Sequence, residues 1–254
     1  MSLAQTLAGR VALVTGAGQG VGRGVALALA AAGAQVAVTG LTVDKCAAVA
    51  AEITDRGGAA VAIGCDVTSP VQVDTCVAAV REQFGPISIL VNAAQSMEYG
   101  SIRRLTDEAY ELMWRSGPGG TLRVMQACFD DLRATTGVVI NFGSGSGLSA
   151  APAMGGYASV KEAIRTLSRV TAAEWGKYGI RVNVICPLAS SPGMDAWAGQ
   201  LTEAGGSLVD SVPLGRLGDS EADVGRVAVF LAGPDSGYIT GTTLMVDGGH
   251  DYLR

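Results

Sequence analysis

The sequence contains a single histidine, His250, and only three lysines among its 254 residues. One histidine excludes a histidine-rich metal site and argues against a Ser-His-Asp triad, so we expect no metal centre. The five cysteines are odd in number and show no Cys-x-x-Cys spacing. This usage favours reduced, mostly buried thiols in a cytoplasmic protein.

Charge and long apolar runs are also scarce. Charged residues make up 16% of the chain and the net charge is −5, which argues against a nucleic-acid partner. The mean hydropathy is +0.33, yet no apolar run reaches the roughly 18–20 residues of a membrane-spanning helix. Residues 1–10 lack the basic start and apolar core of a secretory signal. We therefore expect no membrane partner and a cytoplasmic location.

Glycine is abundant, at 36 residues, and short β-branched runs alternate with longer helical segments. The predicted strands cover residues 11–15, 35–39, 60–64, 87–92, 138–142, 180–186 and 243–246. The predicted helices cover residues 21–32, 43–56, 70–84, 106–115, 121–133 and 156–178. Strands that are apolar along their whole length are buried on both faces. The pattern predicts an α/β fold: one doubly wound Rossmann-like domain over residues 1–254, with a seven-stranded parallel sheet flanked by helices.

A glycine-rich turn follows the first predicted strand, at Thr15-Gly-Ala-Gly-Gln-Gly-Val-Gly22. Gly16 permits a tight turn, Gly20 lets a pyrophosphate approach the backbone, and Gly22 allows the helix to pack closely on the strand. The free N–H groups at the start of the helix then hold the phosphates. A turn that merely needs glycine is the alternative, but the position on the first strand of an α/β chain favours dinucleotide binding.

Further motifs follow at the ends of the later strands, in a fixed order. They are Cys65-Asp-Val67, Leu90-Val-Asn-Ala-Ala-Gln95, Asn141 to Ser144, Tyr157-Ala-Ser-Val-Lys161, Arg181-Val-Asn-Val-Ile-Cys-Pro187, Ile239-Thr-Gly241 and Val246-Asp-Gly-Gly249. Together with the Thr-Gly-x-x-x-Gly-x-Gly spacing of the turn, they make the chain resemble the classical short-chain dehydrogenase/reductases over nearly its whole length.

The resemblance implies a nicotinamide dinucleotide cofactor at the carboxyl ends of the strands. Its expected contacts are Gly16, Gln19, Gly20, Val21, Gly22, Gly40, Leu41, Asp66, Val67, Asn92, Ala93, Ala94, Tyr157, Lys161, Pro187, Ala189 and Ser191. The second strand ends at Thr39-Gly-Leu-Thr42, with neither the acidic residue that selects NAD nor the arginine that accommodates NADP. Gln19 also lacks the positive charge that often assists NADP in this family. Gly40 leaves room for a phosphate that Thr39 or Thr42 could bond, so we expect NADP, with NAD as the alternative.

Tyr157 and Lys161 are four residues apart on a predicted helix and share one of its faces. A nearby ammonium and an oxidised nicotinamide both favour the phenolate, and lowering a phenol pKa from about 10 to about 7 requires roughly 4 kcal/mol. We expect Tyr157 to act as general acid/base and Ser144 to hydrogen-bond the substrate oxygen. The resemblance also implies that Lys161 binds the nicotinamide ribose. A loop serine and a surface Tyr-Lys pair are the alternative interpretation.

The helix after the fourth strand departs from the family pattern. The family has an asparagine there, whose backbone carbonyl holds a water that links the lysine to solvent, and the alignment places Gly117 at that position. The segment Trp114-Arg-Ser-Gly-Pro-Gly-Gly120 should break or kink the helix. A backbone carbonyl at residue 117 could still hold the water. We expect activity to be retained, with a weakened or rerouted proton relay as the alternative.

Three more departures cluster at the predicted site. Gln95 replaces a glycine and could reach the cofactor or substrate. Leu188 replaces the glycine after Pro187, where a side chain should crowd the nicotinamide or the pocket. Ser191 could stand in for the threonine that usually contacts the carboxamide.

Residues 188–213 are the expected substrate lid, because they lie between the sixth strand and the last helix. Their apolar side chains, including Met194 and Trp197, suggest a hydrophobic ketone or secondary alcohol, such as a steroid, a polyketide or an acyl chain. The candidate substrate contacts are Gln95, Ser146, Leu188, Met194 and Trp197. The resemblance also implies a homotetramer or homodimer, with interfaces on the long helices after the fourth and fifth strands.

The sequence thus predicts an NAD(P)-dependent oxidoreductase that interconverts a secondary alcohol and a ketone on a hydrophobic substrate. Two alternatives stay open. One is a cofactor-binding protein without redox turnover, serving as a sensor or assembly partner. The other is a non-redox enzyme, such as a dehydratase or cyclase, that uses Tyr157 for different chemistry.

Overall fold

The computed structural model describes residues 6–191 and 208–253. Seven strands form its central sheet: β1 Val11–Thr15, β2 Gln35–Gly40, β3 Ala59–Gly64, β4 Ile89–Asn92, β5 Val138–Phe142, β6 Arg181–Pro187 and β7 Thr243–Val246. All neighbouring pairs are parallel, in the order β3-β2-β1-β4-β5-β6-β7. The order runs outward in opposite directions from β1 and β4, which confirms the doubly wound α/β fold.

Helices connect the strands and cover both faces of the sheet. They are α1 Gly20–Ala31, α2 Val43–Asp55, α3 Pro70–Phe84, α4 Asp107–Ser116, α5 Pro118–Ala127, α6 Phe129–Ala134, α7 Ser146–Ser149, α8 Gly155–Trp175 and α9 Arg226–Ala232. A π-helical turn, Ser220–Gly225, leads into α9. Among the described helices, none is both long enough and apolar enough to cross a membrane.

The strands carry apolar residues on both faces because the sheet lies between two buried clusters. Ala12 and Val14 of β1 face one cluster, to which Val25 of α1 also belongs. Val11 and Leu13, which point the other way, face a second cluster built on α3, α5 and α8. Successive strand residues point to opposite faces, so burial on both sides removes the usual alternation of apolar and polar residues.

The parallel register brings polar residues together along one edge of the sheet. Thr15 lies opposite Thr39 of β2 and opposite Asn92 of β4. Asn92 in turn lies opposite Asn141 of β5. These residues form a row at the carboxyl ends of the strands, which is where a doubly wound sheet binds its ligands.

The structure breaks the helical region after β4, as the sequence predicts. Helix α4 ends at Ser116, Gly117 lies between the helices, and α5 begins at Pro118. Proline suits the first position of a helix because that position has no intrahelical partner for an N–H.

The predicted helix over residues 121–133 is wrong in its bounds. The structure begins α5 earlier and divides the region at Cys128 into α5 and α6. The pattern also gave no bounds for the helical segment from the π-turn through α9. There α1 packs tightly against the π-turn: a Cβ added at Gly24 would lie 2.6 Å from the backbone nitrogen of Glu221. Small residues in α1 therefore permit a close approach that periodicity alone does not reveal.

Candidate active site

The glycine-rich turn between β1 and α1 has the backbone that its sequence suggests. Gly16 and Gly20 have φ angles of 65° and 57°, in the left-handed region that favours glycine. A Cβ at Gly16 would lie 2.8 Å from the backbone nitrogen of Ala94, and a Cβ at Gly22 would overlap the carbonyl oxygen of Gly16. The turn is therefore held against the end of β4 and leaves the backbone open to a ligand.

A cavity of about 480 Å³ lies at this edge of the sheet. It is lined by the glycine-rich turn and by residues that follow β2, β3 and β4. Thirteen of the predicted contacts line it: Gly16, Gln19, Gly20, Val21, Gly22, Gly40, Leu41, Asp66, Val67, Ala93, Ala94, Gln95 and Ser191. Asn92, Tyr157, Lys161, Pro187 and Ala189 do not line this cavity.

The cavity fits a dinucleotide in three respects. The glycine-rich turn lines the cavity, and it packs so closely that a Cβ at Gly16 or Gly22 would meet backbone atoms. Helix α1 begins at the cavity with no side-chain cap and no acidic residue in its first turn, so its N–H groups and dipole favour a phosphate. The buried Oδ1 of Asn92, which has no hydrogen-bond partner, lies at the end of β4 beside it. The lining of this cavity therefore suits a dinucleotide, and the individual cofactor contacts stay predictions.

Lys45 is a lining residue that the sequence analysis did not assign. It lies on α2, and its Nζ donates a hydrogen bond of 2.6 Å to Oε1 of Gln19 in the glycine-rich turn. The only other ionisable acid or base on the described cavity wall, thiols aside, is Asp66, whose Oδ1 accepts from the Thr68 N–H at 2.8 Å. A lysine in the first turn of the helix after β2 is the sequence signal that could have identified it.

Beneath the site, amide and hydroxyl side chains connect three elements. Asn92 Nδ2 donates to Asn141 Oδ1 at 2.8 Å, and Asn141 Nδ2 donates to Ser168 Oγ of α8 at 2.9 Å. All three residues are buried. Asn141 and Ser168 therefore fix α8 relative to the ends of β4 and β5, a role that the sequence did not show because Ser168 lies in an ordinary helical stretch.

Helix α8 and the loop after β5 bring Ser144, Tyr157 and Lys161 together. Lys161 is buried, its Nζ lies 5.5 Å from the centre of the Tyr157 ring, and it donates a 2.9 Å hydrogen bond to the carbonyl oxygen of Phe142 at the end of β5. The Ser144 hydroxyl lies close enough to Tyr157 to lower the pKa of the phenol. Ser144 Oγ also lies 2.8 Å from Oγ of Ser146 and accepts from the Ser146 N–H at 3.2 Å.

Burial shifts the pKa of both ionisable groups. It raises the pKa of Tyr157 above its ordinary value, and the phenol of Tyr99 acts in the same direction, whereas the Ser144 hydroxyl lowers it. Burial also lowers the pKa of Lys161 to about 8. Within the chain itself, desolvation thus outweighs the charge effect that the sequence analysis expected at Tyr157. Tyr99 is therefore a neighbour of Tyr157, and the sequence alone did not indicate this.

The residues after β6 are placed differently from the expectation. Leu188 is buried in a small cluster with Leu208 and Val212, and its N–H donates to the Val246 carbonyl at 3.0 Å. Its side chain therefore does not crowd the cavity. Ala189 is buried and pairs with Gly218 in an isolated parallel bridge.

Of the other predicted substrate contacts, Gln95 lines the cavity and Ser146 is buried against Ser144. Met194 and Trp197 lie outside the described residues, as does the middle of the expected lid. Within the described chain, no group of three or more His, Cys, Asp and Glu side chains is arranged to hold a metal ion.

Comparison with known proteins gives a consistent result. A profile of the family described as Enoyl-(Acyl carrier protein) reductase matches residues 16–251. The chain is 39% identical over 249 residues to a 12alpha-hydroxysteroid dehydrogenase from a Clostridium species, covering 95% of this chain and 96% of that protein. It is 35% identical over 255 residues to a sorbitol dehydrogenase from Cereibacter sphaeroides, covering 96% and 98%.

A solved structure described as a short-chain alcohol dehydrogenase from Sinorhizobium meliloti superposes with a TM-score of 0.87. Its sequence is 31% identical, and the match covers 98% of both chains. Fold, motif order and relatives agree over almost the whole length. The chain belongs to the short-chain dehydrogenase/reductase family and is an oxidoreductase that acts on CH–OH groups with a nicotinamide cofactor, NAD(H) or NADP(H).

Proposed function

We propose that the enzyme interconverts a hydrophobic secondary alcohol and its ketone, with Tyr157 as the general acid/base. The observation that carries this proposal is the buried Lys161 ammonium, 5.5 Å from the Tyr157 ring on the same face of α8. A bound nicotinamide supplies the hydride acceptor or donor. Tyr157 takes the hydroxyl proton in alcohol oxidation and returns it in ketone reduction.

Ser144 and Lys161 set the conditions for this proton transfer. The Ser144 hydroxyl lowers the pKa of Tyr157 and stabilises charge on the substrate oxygen. Because burial raises the pKa of Tyr157, its phenolate needs a positive charge nearby. Lys161 provides one, and its hydrogen bond to Phe142 holds the ammonium in place. Ionised Lys161 is therefore part of the active form of the site.

We propose NADP as the preferred cofactor, with Lys45 as the residue that favours it. Gly40 and Leu41, at the end of β2, present no carboxylate to repel a phosphate on the adenosine ribose. Lys45 Nζ lies on the same wall and is held by Gln19. An ammonium on this wall suits a phosphate better than a ribose hydroxyl.

Two exposed apolar side chains support the hydrophobic substrate class, one beside the start of α8 and one on the cofactor cavity. The side chain of Ile102 is 71% exposed. It lies against Gly155, two residues before Tyr157, because a Cβ added at Gly155 would contact it. Leu112 is exposed on the wall of the cavity. Exposed apolar side chains at the mouth of a site favour a hydrophobic ligand. The hydroxysteroid named for the relative that is 39% identical has this character, whereas the sugar alcohol named for the sorbitol dehydrogenase does not.

We also propose a homo-oligomer of single-domain chains in the cytoplasm. Exposed apolar residues lie on the helices after β4 and β5: Tyr110 and Trp114 on α4, Leu122 on α5 and Val170 on α8. Such faces are typical of subunit interfaces. The five cysteines are free and buried, which suits a reducing compartment.

A turnover assay with a panel of alcohols and ketones tests the reaction and the substrate class. It follows nicotinamide absorbance at about 340 nm with NAD and with NADP, and it compares cyclic hydrophobic secondary alcohols with linear polyols. We expect turnover on the hydrophobic members, faster with NADP. Preference for polyols would contradict the substrate class, and an absence of turnover with both cofactors would contradict the reaction.

A further inference from the structure

The side chain of Gln95 lies against Gly117, the residue between α4 and α5, and occupies the position that a side chain at residue 117 would take. A Cβ added at Gly117 would overlap Gln95 Oε1 and would lie 3.0 Å from its Cδ. The same Cβ would lie 2.9 Å from the carbonyl oxygen of Met113. As long as Gln95 keeps this position, residue 117 has room only for glycine.

Two hydrogen bonds hold Gln95 there. Its Nε2 donates to the Met113 carbonyl at 3.0 Å and to the Ser96 carbonyl at 2.7 Å. The Met113 carbonyl also accepts the N–H of Gly117 at 2.9 Å. The Gln95 amide therefore bonds to the last turn of α4 at the point where that helix stops.

The other amide atom, Oε1, is buried and has no hydrogen-bond partner. An unpaired buried acceptor destabilises a protein, so it does not explain why the side chain lies here. The position is instead set by the two bonds from Nε2 and by the space that Gly117 leaves.

Met113 connects this junction to the catalytic helix. Its side chain is buried, and a Cβ added at Gly156 would lie 2.7 Å from Met113 Cε. Gly156 directly precedes Tyr157 in the first turn of α8. A shift of the last turn of α4 would therefore press on, or withdraw support from, the segment that orients the tyrosine.

We propose that Gln95 is a positioning residue for Tyr157, acting through Met113, and that Gln95 and Gly117 work as a reciprocal pair. The Gln95 side chain fills the space that a side chain at 117 would take, and glycine at 117 makes room for it. The inference rests on the proposed role of Tyr157 as general acid/base.

A double-mutant cycle tests the pair, with Gln95→Gly, Gly117→Asn and the double variant. We expect Gly117→Asn to lower kcat by about tenfold or more, because small displacements of reacting groups are costly, and to shift the pH profile of kcat. We expect Gln95→Gly to lower kcat less, and the double variant to recover at least about threefold of the kcat that Gly117→Asn loses, since only the contact with the Met113 carbonyl remains. Additive losses in the double variant would overturn the reciprocal pair.

Gln95→Met keeps the length of the side chain and removes only its polar atoms, so it tests the hydrogen bonds even if a glycine variant folds poorly. We expect a shifted ionisation of Tyr157 in this variant, measured by ultraviolet difference spectroscopy against the same chain carrying Tyr157→Phe. An unchanged tyrosine titration and pH profile would overturn the positioning role. If Tyr157→Phe itself stays active, the proposed function fails instead.

Discussion

Burial disfavours the positive charge of Lys161, and the effect of this on the free energy of unfolding can be predicted. The pKa of Lys161 is lowered from 10.5 to about 8 by burial. At about 1.36 kcal/mol per pH unit, the folded protein without bound cofactor pays a penalty of about 3 kcal/mol for a protonated Lys161. The penalty is fully present below about pH 8, where both the folded and the unfolded chain hold the proton.

The penalty declines as pH rises, which fixes the sign. Between about pH 8 and 10.5 the folded chain has released the proton while the unfolded chain still binds it, so stability increases with pH. Lys161→Met lacks this contribution. We therefore expect the free energy of unfolding of the wild type, relative to Lys161→Met, to rise by about 2.5 kcal/mol between about pH 7 and pH 10.

Urea unfolding at each pH, without cofactor, measures this difference. The lost hydrogen bond to Phe142 adds a nearly constant offset, so the change with pH is the informative quantity. The comparison is repeated in a Tyr157→Phe background, with Lys161 and with Lys161→Met, which removes the titration of the neighbouring phenol. Lys177→Met, at an exposed lysine, is the matched control and should show a much smaller change. A flat difference between wild type and Lys161→Met would refute the argument that burial destabilises the charged lysine.

Three further predictions concern the cofactor cradle and the serine. Lys45→Glu should raise the Kd for NADP by tenfold or more and change the Kd for NAD little, as measured by fluorescence titration, because a carboxylate repels the extra phosphate; equal losses for both cofactors would contradict it. Gly22→Ala should lower the free energy of unfolding by about 1–3 kcal/mol and weaken the binding of both cofactors, because its Cβ overlaps the Gly16 carbonyl; Gly176→Ala, whose Cβ meets open space at a negative φ, is the control for adding a methyl group at a glycine. Ser144→Ala should reduce kcat by about 10²-fold or more and leave the cofactor Kd within twofold; an unchanged kcat would remove Ser144 from the mechanism.

Much of the fold could be predicted because its signals are local. The strands are short apolar runs, and the Gly16–Gly22 turn needs glycine for backbone reasons that one sequence reveals. The break before Pro118 is equally local. The bounds of the last helix, residues 226–232, and of the π-turn before it could not be predicted, because their position depends on close packing against small residues of α1.

The candidate site also combines features that local sequence predicts with features that only the folded chain reveals. Tyr157 and Lys161 share a helix, so their spacing alone predicts that they lie on one face. By contrast, the bond between Lys45 and Gln19 joins residues 26 positions apart, and Met113 meets Gly156 only in the folded chain. The direction of the Tyr157 pKa shift also required the structure, because burial, rather than sequence neighbours, is its main cause. Leu188 turns into a buried cluster for a similar reason.

The central claim is that Tyr157 performs the proton transfer in a nicotinamide-dependent reaction. The most direct test measures turnover and cofactor binding together, for the wild type and for Tyr157→Phe, with the best alcohol of the panel. The account predicts that Tyr157→Phe loses at least about 10²-fold in kcat while its cofactor Kd stays within about twofold, because the variant removes one hydroxyl. Turnover by Tyr157→Phe at the wild-type rate would contradict the account.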